Sequence, residues 1–256
     1  PRHMRIIYRI NHDFLNEVEL RFPGDIDLIR RISLIDDGNG HEDSKRVRMA
    51  HLSIVGSHRV NGVSQLHSDL MVQTIFADFA RLYPDRFHNK TNGVTPRRWI
   101  AQANPGLSAL LDERLGDDWR LNLDRLQNLK PSANDTGFRT AFATAKLNNK
   151  LRLADYIKRE TGVILDPNSM FDVQVKRIHE YKRQLLNVLH VITRYNAILH
   201  GLADDAAPRS VIFAGKAASS YYMAKQVIRL IHDVASVINN DPRTKDKLKV
   251  VFVDRK

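Results

Sequence analysis

The densest group of chemically useful side chains lies in residues 176–183, which read KRIHEYKR. Lys176, Arg177 and Lys182 follow an apolar, β-branched segment and precede one with helical periodicity. Ligands of parallel α/β sheets bind at the carboxyl ends of strands, where helix N-termini favour anions. Arginine can bind phosphate through paired hydrogen bonds, and lysine supplies a mobile charge. A solvated helix face is the alternative, but the position at a strand end favours a phosphate site.

A second loop of small residues, AGKAASS at 214–220, also follows a predicted strand. It is only superficially similar to a P-loop. Ser210 stands where that motif needs its first glycine, and Ala217 stands where it needs a magnesium-binding hydroxyl. Small residues here would alternatively permit a close approach of the backbone, which is a structural role.

Other catalytic signatures are missing from the sequence. The eleven histidines show no HExxH spacing with a third carboxylate ligand, so no metal site is predicted. Neither a GxSxG elbow nor a glycine-rich dinucleotide fingerprint occurs, which removes such hydrolases and dehydrogenases from the leading candidates. The chain has no cysteine, which fits a reducing compartment and a cytoplasmic location.

The net charge favours an anionic partner. Lysine and arginine (40) exceed aspartate and glutamate (29) by 11, which suits phosphate, a phosphorylated cofactor or nucleic acid. An acidic remainder elsewhere in a longer protein would explain the excess equally well. Aromatic and basic residues do not alternate along the chain, so nucleic acid is the weaker interpretation. No apolar run approaches the roughly 20 residues of a membrane span.

An alternation of strands and helices must position these loops. Strands are predicted over residues 171–175, 210–214 and 248–253, separated by helices over 181–199 and 221–238. This order is typical of a parallel sheet with right-handed crossovers. The fold class is therefore α/β, with an incomplete, Rossmann-like parallel sheet in the C-terminal part.

The preceding residues are predicted to be mostly helical. A glycine-rich and acidic loop is expected at 36–45, and residues 49–63 carry an unusual density of polar side chains for a core segment. Apolar residues recur near helical spacing over 4–22, which predicts a helix, and a shorter apolar-periodic stretch covers 26–34. Further helices are predicted over 67–82, 97–102, 107–115, 119–129 and 136–160.

A hinge is predicted at residues 89–96, NKTNGVTP, because asparagine, glycine and proline are concentrated there. We therefore expect one domain over 1–88 and a second over 89–256. The chain starts without methionine and in mid-pattern, and it stops on the third strand. We expect it to be an internal piece of a longer protein.

Several blocks together resemble the α-glucan phosphorylases, which act on glycogen or maltodextrin, and the bacterial glycogen type in particular. The blocks are highly specific because they occur in the same order as in that family. They are 49–63 (MAHLSIVGSHRVNGV), 92–99 (NGVTPRRW), 104–107 (NPGL), 171–185 (FDVQVKRIHEYKRQL) and 215–218 (GKAA).

The resemblance implies a two-domain GT-B glycosyltransferase fold with pyridoxal 5′-phosphate in the cleft between the domains. Residues 1–88 would end the N-terminal domain, and 89–256 would begin the C-terminal cofactor and glucosyl domain. The implied reaction is attack of inorganic phosphate on the terminal α-1,4-glucosidic bond, giving glucose 1-phosphate. The implied partners are α-1,4-glucan and phosphate, with a homodimer as the complete enzyme.

The resemblance also implies roles for individual residues. Arg177 and Lys182 match ligands of the substrate phosphate, and Lys176 with Lys182 match contacts to the cofactor phosphate. Asn92 matches the side chain that holds the 6-hydroxyl of the glucosyl unit.

Four further residues match positions that border the cleft. Val63 and Trp99 match residues that line the cofactor and sugar cleft. His179 and Tyr221 match groups at the cleft entrance, with a weaker claim to catalysis.

Two departures from the family pattern matter. The lysine that forms the cofactor's Schiff base lies in a Gly-Thr/Ser-Asn-Met-Lys segment, which this chain lacks. The chain also ends Asp254-Arg255-Lys256, where the family often has an asparagine–tyrosine pair, and residues 41–44 resemble a local elaboration. We expect the chain alone to be inactive. The alternative hypothesis is a stand-alone, basic, anion-binding module without catalysis.

Overall fold

The computed structural model describes residues 2–38, 45–203 and 206–254 of the chain. The elaboration expected at 41–44 and the divergent end at 255–256 lie outside these described residues. No helix in the described ranges combines the length and apolar composition that a membrane span requires.

The chain divides into two compact units, Pro1–Val94 and Thr95–Lys256. Each unit has a hydrophobic core of its own. The division falls within residues 89–96, the segment rich in asparagine, glycine and proline.

The first unit is mostly helical, with two short strand pairs. Strands β1 and β2 pair antiparallel, whereas β3 and β4 pair parallel. The elements are α1 (Arg2–Arg21), α2 (Ile26–Ile32), β1 (Ile35–Asp36), β2 (Arg46–Val47), α3 (Met49–Val55), β3 (Val60–Gly62), α4 (Gln65–Gln73), α5 (Ala77–Leu82), a 3-10 turn (Pro84–Arg86) and β4 (Phe87–Asn89).

The core of this unit forms where the apolar faces of its helices meet. Phe14 of α1 and Phe79 of α5 are buried, and their rings stack with centroids 6.0 Å apart. Asp25 fixes the start of α2, because its carboxylate accepts a hydrogen bond from the Leu28 amide at 2.9 Å. The predicted amphipathic helix at 4–22 is confirmed as α1.

The second unit begins with short helices and continues as an α/β sheet. The long helix predicted at 136–160 and the three predicted strands are confirmed, each to within two residues at its ends. The elements are a π-helix (Arg97–Gln102), α6 (Pro105–Leu115), 3-10 helices (Asp117–Arg120 and Leu123–Asn134), α7 (Thr136–Thr161), β5 (Met170–Val175), a 3-10 turn (Glu180–Lys182), α8 (Gln184–Leu199), β6 (Arg209–Ala214), α9 (Tyr222–Asn240), a 3-10 turn (Pro242–Thr244) and β7 (Leu248–Val253).

The sheet of the second unit is parallel, in the order β5-β6-β7. All three strands run in matched register, so Val175, Ala214 and Val253 lie side by side at the carboxyl end. The predicted α/β class with a parallel sheet is therefore confirmed. The loops that follow β5 and β6 leave the same edge of this sheet.

Helices cover both faces of the sheet. On β6, Val211 and Phe213 are buried in one cluster with residues of α8 and α9. Ile212, which points to the opposite face, is buried with Ile157 of α7 and Val251 of β7. This burial on both sides explains why β6 and β7 read as continuous apolar runs rather than alternating ones.

The single helix predicted over 67–82 is wrong, because α4 and α5 are separate helices. The Thr74 hydroxyl donates to the Leu70 carbonyl at 2.6 Å, a side-chain bond of the kind that can bend a helix. The Phe76 amide then bonds to the Met71 carbonyl, five residues back. The apolar periodicity survives this break, which is why the sequence does not reveal it.

The single short helix predicted over 119–129 is divided in the structure into two 3-10 helices, Asp117–Arg120 and Leu123–Asn134. Asn122 interrupts the run, and its side chain accepts a bond from the Asp124 amide to start a new turn. Pro131 lies inside the second 3-10 helix, where its missing N–H would disfavour an α-helix.

The helix predicted over 181–199 begins three residues late, at Gln184. Arg183 adopts a left-handed backbone with φ of 58°, which α-helical residues do not have. It separates the 3-10 turn Glu180–Lys182 from α8. Lys182 therefore precedes α8 and does not lie inside it.

Candidate functional site

The candidate site is built on the loops that follow β5 and β6. Their backbones continue to pair past the strand ends. The Lys176 amide donates to the Ala214 carbonyl at 3.1 Å, and the Ile178 amide donates to the Lys216 carbonyl at 3.1 Å. The basic loop after β5 (residues 176–183) and the glycine-containing loop after β6 (residues 214–220) therefore lie against each other.

Gly215 allows this close contact. A Cβ atom at this position would overlap the carbonyl of Lys176 and press on the side chain of Ile178. Only a residue without a side chain fits between the two loops without moving one of them. The second loop thus has the close-approach role that its small residues indicated, and not the geometry of a P-loop.

Buried side chains hold the first half of the basic loop from below. Ile178 is 3% exposed and belongs to the core between the sheet, α8 and α9. Gln184 is 1% exposed. Its amide nitrogen donates to the Arg177 carbonyl at 3.2 Å, and its oxygen accepts from the His179 amide at 3.3 Å.

The second half of the loop is held by another pair of amide side chains. Gln174 on β5 donates to the Lys182 carbonyl at 3.2 Å. Asn187 on α8 in turn donates to the Gln174 side-chain oxygen at 2.9 Å. The backbone carrying the predicted phosphate ligands is therefore fixed at both of its ends.

The cations themselves remain accessible. Lys176 and Arg177 are exposed, and Lys182 is half-buried with its ammonium 5.5 Å from the centre of the Tyr181 ring. Within the described part of the chain, none of the three makes an ion pair with a carboxylate. A fixed backbone that presents unpaired cations is suited to binding an anion.

His179 and Tyr221 lie beside these cations and contact each other. Their rings pack edge to face with centroids 5.0 Å apart, and the His179 ring also packs on Tyr181 at 4.5 Å. The Tyr221 hydroxyl donates to the Glu180 carboxylate at 2.5 Å. This hydrogen bond raises the pKa of Tyr221, because it stabilises the protonated phenol.

Two predicted residues lie together in the first unit. The backbone amide of Asn92 donates to the backbone carbonyl of Val63 at 2.9 Å, which extends the pairing of β3 with β4. The Val63 amide donates to the His67 ring at 3.2 Å. The side chains of Val63 and Asn92 are both exposed. Asn92 and Val63 are therefore neighbours, as parts of one surface.

Trp99 lies in the second unit on the π-helix Arg97–Gln102, with 64% of its surface exposed. No hydrogen bond or ring contact found among the described residues connects its side chain to the basic loop. The structure thus groups Lys176, Arg177, Lys182, His179 and Tyr221, and separately Val63 with Asn92.

Sequence reasoning missed the residues that hold the loop in place, which are Gln184, Gln174 and Asn187. A polar residue at the start of an apolar helix is a weak signal, because it reads as an ordinary surface position. Glu180 lies within the basic motif, and its bond to the Tyr221 hydroxyl has no signal in the sequence. Across the described residues, no group of His, Cys, Asp and Glu side chains is arranged to hold a metal ion.

These features define an α/β protein with a cationic loop at the carboxyl end of a parallel sheet. The carbohydrate phosphorylase family profile matches residues 1–255 of the chain. The chain belongs to this family.

Curated relatives are similar over nearly the whole chain. The glycogen phosphorylases of Haemophilus influenzae and Pasteurella multocida are each 56% identical over 253 residues, which is 99% of this chain and 30% of the relative. The human muscle form is 51% identical over 254 residues, again 99% of this chain and 30% of the relative. The chain therefore spans about 30% of the length of the curated relatives it matches.

Proposed function

We propose that the complete protein carrying this chain is an α-1,4-glucan phosphorylase, which uses inorganic phosphate to release glucose 1-phosphate from chain ends. The observation that carries the proposal is the loop with Lys176, Arg177 and Lys182. These cations follow a strand of a parallel sheet, their backbone is held by buried amides, and they have no carboxylate partner among the described residues. The names of its relatives support the same activity.

The proposed reaction makes a strong demand on electrostatics. Phosphate must approach a second phosphate group closely, and like charges at short range repel strongly where water is excluded. Preorganised cations offset this repulsion without having to reorganise during the reaction. We assign Arg177 and Lys182 to the substrate phosphate, and Lys176 with Lys182 to the phosphate of the cofactor.

Pyridoxal 5′-phosphate is the cofactor implied by the family. The donor set fits its phosphate group, because cations on a rigid loop are unpaired within the described ranges and suit an oxyanion. When bound, the cofactor would supply a proton from its phosphate group to the substrate phosphate. Lys176 and Lys182 would hold that group, whereas the Schiff-base lysine segment is not part of this chain.

The remaining predicted residues are assigned to the sugar and the cleft. We propose that Asn92 binds the 6-hydroxyl of the terminal glucosyl unit and that Val63 and Trp99 line the cleft. His179 and Tyr221 would border its entrance. The exposure of the Asn92, Val63 and Trp99 side chains supports these assignments, because a ligand can reach them.

The domain assignment belongs to the same proposal. Residues 1–88 would form the end of the N-terminal phosphorylase domain, and 89–256 the beginning of the C-terminal domain. The separation of two compact units near residue 94 supports a boundary in this stretch. The homodimer rests on the family resemblance alone, whereas the proposed cytoplasmic location is also supported by the absence of cysteine.

The proposal is tested on the complete protein with glycogen or maltodextrin and inorganic phosphate. We expect glucose 1-phosphate to form in proportion to phosphate consumed, and only after the cofactor has been bound. A sample without phosphate is the control, since hydrolysis would release free glucose instead. If the complete, cofactor-loaded protein forms no glucose 1-phosphate from any linear α-1,4-glucan, the proposal is wrong.

The second candidate is an anion-binding module without catalysis. It is favoured by one observation, namely that Gln174 and Gln184 of this chain hold the backbone of the basic loop through three hydrogen bonds. Formation of glucose 1-phosphate by the complete protein distinguishes the two candidates, because a module without catalysis would form none. Reduction of the chain with borohydride after incubation with the cofactor tests a separate point, whether the Schiff-base lysine lies in this chain. We expect no stoichiometric adduct at a single lysine. A specific adduct accompanied by phosphorolysis would contradict the conclusion that the Schiff-base lysine lies outside this chain.

A further inference from the structure

Gln184 combines burial with an unusual pair of hydrogen bonds. It is the first residue of α8 and is 1% exposed. Its side chain bonds the backbone on both sides of Ile178, at the Arg177 carbonyl and the His179 amide, with distances of 3.2 and 3.3 Å. A side-chain amide used in this way supplies the donor and acceptor that a neighbouring strand would otherwise provide.

We propose that Gln184 is a positioning residue, which sets the direction of Arg177 relative to Lys182 for phosphate binding. The inference rests on the proposed function. Gln184 does not touch the ligand itself, because its side chain is buried beneath the loop and both polar ends are occupied by backbone. Its effect would pass through the Arg177 carbonyl.

The chemistry of this bridge requires an amide. The Arg177 carbonyl needs a donor and the His179 amide needs an acceptor, and one glutamine side chain supplies both. Removing it would leave the Arg177 carbonyl and the His179 amide without these hydrogen bonds, which costs free energy where water is excluded. The Arg177 carbonyl and the His179 amide would then reorient toward water, although Ile178 stays buried and bonded to Lys216. The Arg177 side chain would change direction with its own peptide group.

The opposite end of the loop has its own, independent support. Gln174 binds the Lys182 carbonyl and is itself held by Asn187. Loss of Gln184 should therefore loosen the Arg177 end and leave the Lys182 end in place. This asymmetry separates a positioning role from general loss of stability, since the two cations would respond differently.

The variant Gln184→Met tests the proposal in the complete, cofactor-loaded protein. Methionine has a similar length but offers no amide donor or acceptor. We expect the phosphate KM to rise about 10- to 100-fold, the range that small displacements of a binding group produce. The glucan KM should stay unchanged, because the sugar contacts are assigned to other residues. The control is Gln226→Met, a half-buried glutamine on α9 of the same unit.

Hydrogen–deuterium exchange at the His179 amide provides a second, activity-independent measurement. In the unmodified protein this amide should exchange slowly, and in Gln184→Met it should exchange at nearly the rate of a free loop. Fast exchange in the unmodified protein would overturn the bridge, even if the variant failed to fold.

The outcomes also separate this inference from the proposed function. An unmodified protein that makes no glucose 1-phosphate refutes the function, whereas slow His179 exchange would still support the bridge. An active protein whose phosphate KM is the same in Gln184→Met refutes the positioning role alone. Equal changes of phosphate and glucan KM would likewise refute it, because they would indicate a general structural effect.

Discussion

The two ends of the parallel sheet in the second unit differ in whether their charged side chains are paired. At the amino end, the Arg209 guanidinium donates to the Asp172 carboxylate at 2.7 Å, and both side chains are largely buried. At the carboxyl end, Lys176, Arg177 and Lys182 have no carboxylate partner among the residues that the structure describes. The backbone under those cations is nevertheless held firmly.

The turn that leads into the amino end of β7 also contains a paired charge. Asp241 accepts hydrogen bonds from the Arg243 side chain at 2.6 Å and from the Tyr195 hydroxyl at 2.7 Å. These bonds, chiefly the one from Arg243, hold the pKa of Asp241 well below its usual range. Paired charges at this end stabilise the fold, and unpaired cations at the other end are available for a ligand.

Two guanidinium nitrogens near the amino end depart from this pattern. Among the described residues, the Nε atoms of Arg194 and Arg209 are buried and have no hydrogen-bond partner. Burial, with a smaller contribution from Arg209, lowers the pKa of Arg194.

The largest effect is expected from Lys182→Ala in the complete protein. Removal of a preorganised charge next to reacting phosphates typically costs on the order of 100- to 1,000-fold in turnover. We therefore expect turnover at saturating phosphate to fall by about that factor. Lys158→Ala, at an exposed lysine near the end of α7, is the control. Steady-state kinetics with full turnover in Lys182→Ala would reduce this lysine to a solvated loop charge.

Arg177→Ala should act mainly on binding. A hydrogen bond to a charged group contributes about 1.5–3 kcal/mol, which corresponds to roughly 10- to 100-fold in affinity. The phosphate KM should rise by that factor, with a smaller change in turnover than in Lys182→Ala. The measurement is phosphate titration at saturating glucan. An unchanged phosphate KM would remove Arg177 from the site.

Gly215→Ala tests whether the carboxyl end depends on the contact between its two loops. The added methyl group would overlap the Lys176 carbonyl, and overpacking of this kind costs about 1–3 kcal/mol in unfolding free energy. Phosphate affinity should fall as well, because the basic loop must move. Gly106→Ala meets only ordinary contact at 3.8 Å and is the control. Denaturant unfolding that showed equal stability for both variants would contradict the close contact.

The smallest effect is expected at the amino end, where Asp172→Asn removes the charge paired with Arg209. We expect the unfolding free energy to fall by about 1–2 kcal/mol, because a largely buried ion pair loses its charged acceptor. The phosphate KM should not change. A phosphate KM that rose as much as in Arg177→Ala would break the distinction between the two ends of the sheet.

Much of the second unit could be predicted from the sequence because its signals are local. Apolar runs near 171, 210 and 248 predicted the strands, and the long helix expected over 136–160 corresponds to α7. The errors arose where a single residue changes the backbone without changing the apolar pattern. Thr74 ends α4, and Arg183 delays the start of α8.

The candidate site divides along the same line. Residue types and order alone placed three cations after a predicted strand and before a predicted helix. This was sufficient to predict an anion site, because local periodicity locates the strand and the helix and so shows where the strand's carboxyl end and the helix N-terminus lie. The partners of that loop could not be read from the sequence. The Gln184 side chain donates a hydrogen bond to the Arg177 carbonyl, and Gly215 leaves space for the Lys176 carbonyl because it has no Cβ atom. These contacts depend on how the sheet and α8 pack together, since hydrogen bonding and steric exclusion act between atoms that only the folded backbone brings within reach.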